Sequence, residues 1–574
     1  MIRLTIDGKE VFVNEGATLL DAARKLNIRI PTLCYHPDQE VKANCRICMV
    51  EVEGRPGLVP ACAFPAREGL KVKTSSSRVR QARWNILELI FAHHSKDCLQ
   101  CSRNGNCELQ TISQEMHFDR DLRYEQAQRG NGKDLSSPSI TIDPSKCIAC
   151  NRCIYACSEI QTVYALARGK RGFNTVISPS YGRKLSESPC VGCGQCVQAC
   201  PVGALSVRDD RQKVWKMLDD KEKITVAQVA PAVRITIAEA LGEDPGVVST
   251  GRLVTALKRL GFDRVFDTDF TADLTIMEEG TELIDRLTNG GTLPMITSCS
   301  PGWIKFCETY YPDLLPHLST CKSPQGMFGA LIKEYFAPRL CKSPQDVYSV
   351  SVMPCTAKKF ERGRMELGRN GYLDIDAVLT VQELARMIDQ AGIDFKALPE
   401  SNFDAPFGLG SGAGEIFGAT GGVMEAALRS VYEIVTGEEL TDIEFKDVRG
   451  FEGIKEATVQ VGSIPVKVAV AHGLGNARKL MDQIREGKAD YHFIEVMACP
   501  GGCIGGGGNP IKNWAKMEHR VKAVYDTDRD LPLRKSHQNQ AVKRLYDEYL
   551  GQPGGHLSHE LLHTTYTDRS NLLK

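Results

Sequence analysis

The cysteines constrain this chain more than any other feature: of 22, 15 lie before position 201, most of them in short-spaced groups. Disulfides need an oxidising compartment, yet Met1-Ile2-Arg3-Leu4-Thr5-Ile6-Asp7-Gly8 alternates like a strand and carries charge, unlike a secretory signal. Under reducing conditions, thiols two residues apart are suited to share one metal centre as thiolates. No apolar run reaches the roughly 18 residues of a membrane span. The chain therefore reads as soluble and cytoplasmic. Lys plus Arg total 71 and Asp plus Glu total 71, so no bulk field would draw it to nucleic acid. At 574 residues it exceeds one hydrophobic core, and three or four domains are expected.

Two copies of Cys-x2-Cys-x2-Cys-x3-Cys, at Cys147, Cys150, Cys153, Cys157 and at Cys190, Cys193, Cys196, Cys200 before Pro201, form the bacterial two-cluster ferredoxin pattern. In that pattern the first three thiolates of a run wrap one [4Fe–4S] cube and the fourth ligates the other. Cys34, Cys45, Cys48 and Cys62 have the x2 interval of a [2Fe–2S] site, although the first gap is longer than the plant-type x4. They follow a hairpin, RLTI-DGKE-VFV, and a helix over 17–27, as in a plant-type ferredoxin-like β-grasp.

A third group holds three thiols, Cys98, Cys101 and Cys107, with His94 four residues upstream. Imidazole can complete a cluster's shell, and the same set suits tetrahedral zinc. The run His-x3-Cys-x2-Cys-x5-Cys resembles the large iron–sulfur subunit of complex I and multi-cluster hydrogenases, which implies a [4Fe–4S] cube. The segments divide as 1–78 ([2Fe–2S] domain), 79–123 (His/Cys3 domain), 124–209 (polar linker and two-cluster domain) and 210–574. Beyond 210, strand-like runs such as KITVAQV, VYSVSVM and YHFIEVM alternate with amphipathic helices, which predicts an α/β domain with parallel sheets following small α+β iron–sulfur domains.

Three of those strands run into cysteine: Thr297-Ser298-Cys299-Ser300-Pro301, Met353-Pro354-Cys355-Thr356-Ala357-Lys358, and Glu495-Val496-Met497-Ala498-Cys499-Pro500-Gly501-Gly502-Cys503 followed by four glycines over 505–508. Strand ends are where such domains place a site. Glycine lets backbone approach a bulky inorganic group closely. These segments resemble the three signature motifs of the [FeFe]-hydrogenases, and the resemblance extends over essentially the whole chain, with the tail as a fused small subunit. It implies reversible conversion of protons and electrons to H2 at an H-cluster, a [4Fe–4S] cube joined to a two-iron unit with CO, cyanide and a bridging dithiolate. One [2Fe–2S] and three accessory [4Fe–4S] clusters would supply electrons.

By the same resemblance Cys355, Cys499 and Cys503 hold the cube, Cys503 also bridges to the two-iron unit, and Lys358 donates to a cyanide. Phe417, Met353 and Met497 pack around the two irons. Where the family has a second Cys as fourth cube ligand, this chain has Ser300. Serine oxygen, a shifted Cys299, a water, or another ligand such as Cys321 are the alternatives. The implied proton relay runs Cys299, Glu279, Ser319, Glu282 and Arg286. Without that context, Glu278, Glu279 and Glu282 read as a solvated helix face. No nicotinamide or flavin fingerprint is convincing in the chain. Electrons would therefore pass to ferredoxin or to flavin-bearing NAD(P)-linked subunits, and a hetero-oligomer is the favoured assembly. The competing readings are a noncatalytic or sensory electron-transfer protein that lost its fourth cysteine, and an assembly factor of the same superfamily, whose members lack the third motif.

Overall fold

A computed structural model describes residues 1–118, 123–124, 132–408, 410–462 and 464–574. The end of the expected His/Cys3 segment and much of the linker over 125–131 lie outside the described residues. The chain forms two compact units. The first comprises Met1–Glu159, Tyr164–Ser188 and Ala199–Ser206; the second comprises Ile160–Val163, Pro189–Gln198 and Val207–Lys574.

In the first unit, Asp7 and Gly8 both take positive φ (49° and 81°), the turn that matches strand twist, and join β1 (Ile2–Ile6) to antiparallel β2 (Lys9–Val13). With β3 (Met49–Val52), β4 (Val59–Pro60) and β5 (Lys71–Lys73) they form a sheet in the order β2-β1-β5-β3-β4. The expected helix is shorter than its apolar spacing suggests, Leu19–Lys25, because Thr18 and Asp21 close a reciprocal capping box at its start. Leu4, Ile6, Leu19, Leu20, Val50 and Val72 fill the core beneath it. Two short ribbons, β6 (Ile140–Ile142) with β9 (Leu205–Val207) and β7 (Ala167–Gly169) with β8 (Val176–Ser178), complete the smaller strands.

The second unit contains two four-stranded sheets. In one, β10 (Ile224–Val229), β11 (Arg264–Asp267), β13 (Val347–Met353) and β14 (Ala377–Thr380) run parallel in the order β11-β10-β13-β14. Their near-continuous apolar and small residues suit strands covered on both faces, here by helices such as Pro231–Ala240, Thr250–Leu260 and Val381–Gln390. In the other, β12 (Met295–Ile296), β17 (Phe493–Met497) and β16 (Ile464–His472) are parallel, and β15 (Ile454–Val461) adds an antiparallel edge. The motif strands β12, β13 and β17 thus come from two sheets. Helices Thr268–Asn289, Gly422–Thr436 and Trp514–Asp530 pack on the second sheet and its neighbours. No helix among the described residues is long and apolar enough to cross a membrane.

Candidate active site

The loops that leave β12, β13 and β17 meet around one cavity of about 90 Å³ in the second unit. Its wall includes Cys299, Ser300, Cys355, Cys499 and Cys503, together with Lys358, Phe417, Met353 and Met497. Two glycines shape the wall. A Cβ on Gly502, which holds φ 88°, would lie 2.6 Å from Thr420 N, and one on Gly506 would lie 2.3 Å from Pro354 O. Backbone here approaches backbone, and any side chain would enter the space of the cavity or displace its wall.

Burial pushes the Cys355, Cys499 and Cys503 thiols up to about 12, so as bare thiols they stay protonated at neutral pH. Coordination removes that proton, because a metal cation supplies the charge the buried thiolate lacks. Three such thiols, one serine oxygen and a lysine in an apolar cavity fit an anionic iron–sulfur group bearing polar ligands. Ser300 Oγ accepts the Ala498 N–H at 3.2 Å and makes no capping bond to its own helix, Pro301–Tyr310. Cys321 is buried but stands outside the cavity wall, its Sγ 3.8 Å from Glu282 Oε2.

The Lys358 ammonium uses its three hydrogens on Ser323 Oγ (2.7 Å), Glu361 Oε2 (2.8 Å) and Cys299 O (3.2 Å). Gln325 Nε2 donates to the same Glu361 oxygen at 2.8 Å. Sequence reasoning assigned no role to Ser323, Gln325 or Glu361. The three-residue interval from Lys358 to Glu361 on a helical turn was the available signal for one of them. Glu495, also unassigned, accepts the Gly421 and Met424 amides at 2.7 Å and so ties the third motif to the start of the helix Gly422–Thr436.

The helix Thr268–Asn289 carries Glu279, Glu282 and Arg286 along one face. A solvated face, the reading these acids take out of context, is wrong here: Glu278 and Glu279 are each 1% exposed because the helix is packed on both sides. Among the described residues, neither carboxylate oxygen of Glu279 has a hydrogen-bond partner. Burial, and then the neighbouring charge of Glu282, push its pKa up to about 8; Ser319 and the Ser298 backbone pull weakly the other way. Ser319 Oγ donates to Glu282 Oε2 at 2.8 Å, and Arg286 donates to Glu282 Oε1 at 2.6 Å. Cys299, lining the cavity, is raised by burial and by the charge of Glu279. Side chains from Cys299 to half-buried Arg286 therefore lie in mutual electrostatic or hydrogen-bond reach.

The accessory cysteines fall in both units. Cys34 lies within hydrogen-bond reach of Cys45, and Cys48 Sγ lies 3.4 Å from Cys62 Sγ. The x2 neighbours Cys45 and Cys48 thus belong to different pairs, because the loop between them turns through Arg46 at φ 58°. In the same unit, Cys147, Cys150, Cys153 and Cys200 are mutual electrostatic neighbours, while Cys157 Sγ accepts the Ala165 amide at 3.3 Å. His94, Cys98, Cys101 and Cys107 line one small cavity with Lys146. Cys190, Cys193 and Cys196 belong to the second unit, where Cys193 also lines the cavity of the three strand-end loops. Their loop is fastened by Gln195 Nε2 to Gly505 O (3.1 Å) and by Thr356 Oγ1 to Gly192 O (2.6 Å).

Comparison with known proteins agrees with this layout. Residues 223–507 match the iron only hydrogenase large subunit, C-terminal domain, and 515–569 match the iron hydrogenase small subunit. Residues 1–77 match a 2Fe-2S iron-sulfur cluster binding domain, 83–121 the NADH-ubiquinone oxidoreductase-G iron-sulfur binding region, and 146–204 a 4Fe-4S dicluster domain. The chain is 48% identical to the NADP-reducing hydrogenase subunit HndD of Solidesulfovibrio fructosivorans, over all of both chains. It is 42% identical to iron hydrogenase 1 of Clostridium pasteurianum, over 99% of this chain and all of that one. An [FeFe]-hydrogenase structure from Chlamydomonas reinhardtii is 45% identical, with a TM-score of 0.58 over 63% of this chain and 99% of that one. With the hydrogenase domain laid over the cavity, cluster domains ahead of it and hydrogenases matching from end to end, the chain belongs to the [FeFe]-hydrogenase family and is a hydrogenase carrying iron–sulfur clusters.

Proposed function

We propose that the chain interconverts H2 with protons and electrons at an H-cluster held by Cys355, Cys499, Cys503 and Ser300. The convergence of three strand-end loops on one apolar cavity supports this reading most directly. Bound there, the cluster supplies the redox-active iron on which protons and electrons combine. The chain's own residues orient it, exclude water and deliver protons. Phe417, Met353 and Met497 keep the wall apolar, and Lys358 can exchange its long contact to Cys299 O for a polar ligand inside the cavity.

Proton delivery falls to Cys299, Glu279, Ser319, Glu282 and Arg286. A carboxyl near pKa 8 exists in both protonation states around neutral pH, as a relay group requires. With no fixed hydrogen-bond partner, Glu279 can turn between the cavity side and the Ser319 side. Arg286 donates to Glu282 Oε1 and so holds the carboxyl against Ser319, in line between the surface and Glu279.

One [2Fe–2S] and three [4Fe–4S] accessory clusters on the cysteine sets above would carry electrons, and the loop of Cys190, Cys193 and Cys196, whose Cys193 lines the cavity, would pass them to the H-cluster. Their source is a flavin-bearing NAD(P)-linked partner subunit, in keeping with the full-length relative named as a subunit of an NADP-reducing hydrogenase; ferredoxin is the alternative. Co-purification of the chain with a flavoprotein checks this, and isolation as a ferredoxin-dependent single chain refutes it. For the reaction itself, matured protein should evolve H2 from a reduced viologen dye and show infrared bands of metal-bound CO and cyanide. Absence of both after maturation would leave only a conductor of electrons.

Ser300 gives a further prediction. A hard serine oxygen stabilises oxidised iron more than thiolate does, so Ser300→Cys should raise the potential of the catalytic cube. Redox titration of its electron paramagnetic resonance signal reads this, and an unchanged potential would remove Ser300 from the ligand set.

A further inference from the structure

We propose that Glu282, Cys321 and His563 form a binding site for a zinc-type divalent cation, and that an ion held there withdraws Glu282 from proton transfer. The second half rests on the relay reading above; the first does not.

Among the described residues, these three bring a carboxylate oxygen, a thiol sulfur and an imidazole nitrogen within 4.8 Å of one another. Mixed oxygen, sulfur and nitrogen donors suit zinc, whose tetrahedral oxygen, nitrogen and sulfur ligands at roughly 2.0–2.3 Å from the ion stand about 3.3–3.5 Å apart. The 3.8 Å from Cys321 Sγ to Glu282 Oε2 is within a few tenths of an ångström of that spacing, and the contraction needed is within the reach of side-chain rotation. Arg286 donates to Oε1, while Oε2 accepts from Ser319 Oγ (2.8 Å) and Thr320 N (3.0 Å), so an ion on Oε2 leaves the ion pair intact and competes with the serine hydroxyl that links Glu282 to Glu279.

The imidazole is oriented for the task. Glu278 accepts from Tyr546 Oη (2.5 Å) and Gly554 N (2.8 Å), and its Oε2 lies 3.1 Å from His563 Nε2. A carboxylate so placed keeps the proton on Nε2 and leaves the Nδ1 lone pair for a metal, the outer-shell arrangement common to zinc-bound histidines. Nδ1 accepts the Thr320 hydroxyl at 2.7 Å, a bond that the ion would replace, after which that hydroxyl or a water can supply the fourth ligand. There is also a way in. His559 is exposed, one helical turn before His563, and the two rings stack at 4.4 Å and 15°, so an ion captured outside needs to move only one ring inward. On binding, the Cys321 S–H bond breaks, a metal–sulfur bond forms and one proton leaves to solvent; no electron moves.

The test uses the fully matured enzyme with its clusters loaded, titrated with zinc chloride while the visible cluster spectrum is followed to verify that no iron is displaced. Calorimetry should detect a zinc site that Cys321→Ala and His563→Gln each weaken at least tenfold. Cys321→Ser, which keeps the packing, should weaken it similarly. Zinc X-ray absorption should show one sulfur among nitrogen and oxygen neighbours. Wild-type H2 evolution should fall with the same midpoint as binding, and Cys321→Ser should turn over normally and resist zinc. Equal zinc affinity in the wild type and Cys321→Ser overturns the site. Zinc bound through Cys321 with turnover untouched keeps the site and removes Glu282 from the relay.

Discussion

Replacing Glu279 by Gln is expected to lower H2 turnover about a thousandfold, within the range of a lost proton-transfer group, while leaving iron content and infrared bands unchanged. Gln keeps the shape of the side chain but cannot alternate between protonated and ionised forms. The same substitution should stabilise the protein at high pH. Below pH 4.5 the carboxyl is neutral in both folded and unfolded chains. Between 4.5 and about 8 the unfolded chain loses the proton while the folded chain keeps it, so folding becomes progressively less favourable. The difference amounts to about 3 kcal/mol at pH 7 and about 5 kcal/mol above pH 8. Thermal unfolding of the two proteins should therefore nearly coincide near pH 4.5 and diverge toward pH 8, with the variant the more stable. A variant at full activity would take Glu279 off the path; coincident unfolding at every pH would show that its carboxyl is not held neutral.

Much of this architecture is written in local chemistry. Asp7-Gly8 specifies its hairpin because only a turn with positive φ joins two twisted strands over two residues, and that requirement is visible in two letters. The motif strands are visible as apolar runs that end at cysteine. What a linear reading misses is decided across the chain. Glu278 and Glu279 look like surface acids until helices from both flanks cover them, a fact that depends on residues hundreds of positions away, such as Tyr546 and His563. The pairing of Cys34 with Cys45 and of Cys48 with Cys62 is set by the turn between the close cysteines, whereas spacing alone suggests that neighbours in sequence share an iron. The cysteine runs were legible as clusters, but the placement of Cys190, Cys193 and Cys196 with the catalytic unit depends on Gln195 and Thr356, whose hydrogen bonds have no signature in sequence. His563 and Cys321, 242 residues apart, carry no shared motif and meet only through the fold.

Lys358→Met should abolish turnover and, separately, destabilise the catalytic unit by on the order of 3 kcal/mol, because it leaves the buried Glu361 carboxylate without its cation. Lys358 and Glu361 have side chains only 10% and 8% exposed, so solvent cannot take over the lost contact, and Gln325 supplies one neutral donor in place of an ammonium. Adding Glu361→Gln removes the stranded charge. The double variant should therefore regain most of the stability, measured as the urea midpoint by circular dichroism, while remaining inactive. The two roles of the lysine separate in this way: neutralising Glu361 is structural and can be replaced, whereas placing a positive charge in the cavity wall beside Cys299 cannot. Its infrared cyanide bands should be absent or shifted, since among the described residues no other cation lines that cavity. Retained turnover in Lys358→Met would reduce the lysine to a partner of Glu361, and a double variant as unstable as the single would mean that packing, rather than the unpaired carboxylate, is what the methionine disturbs.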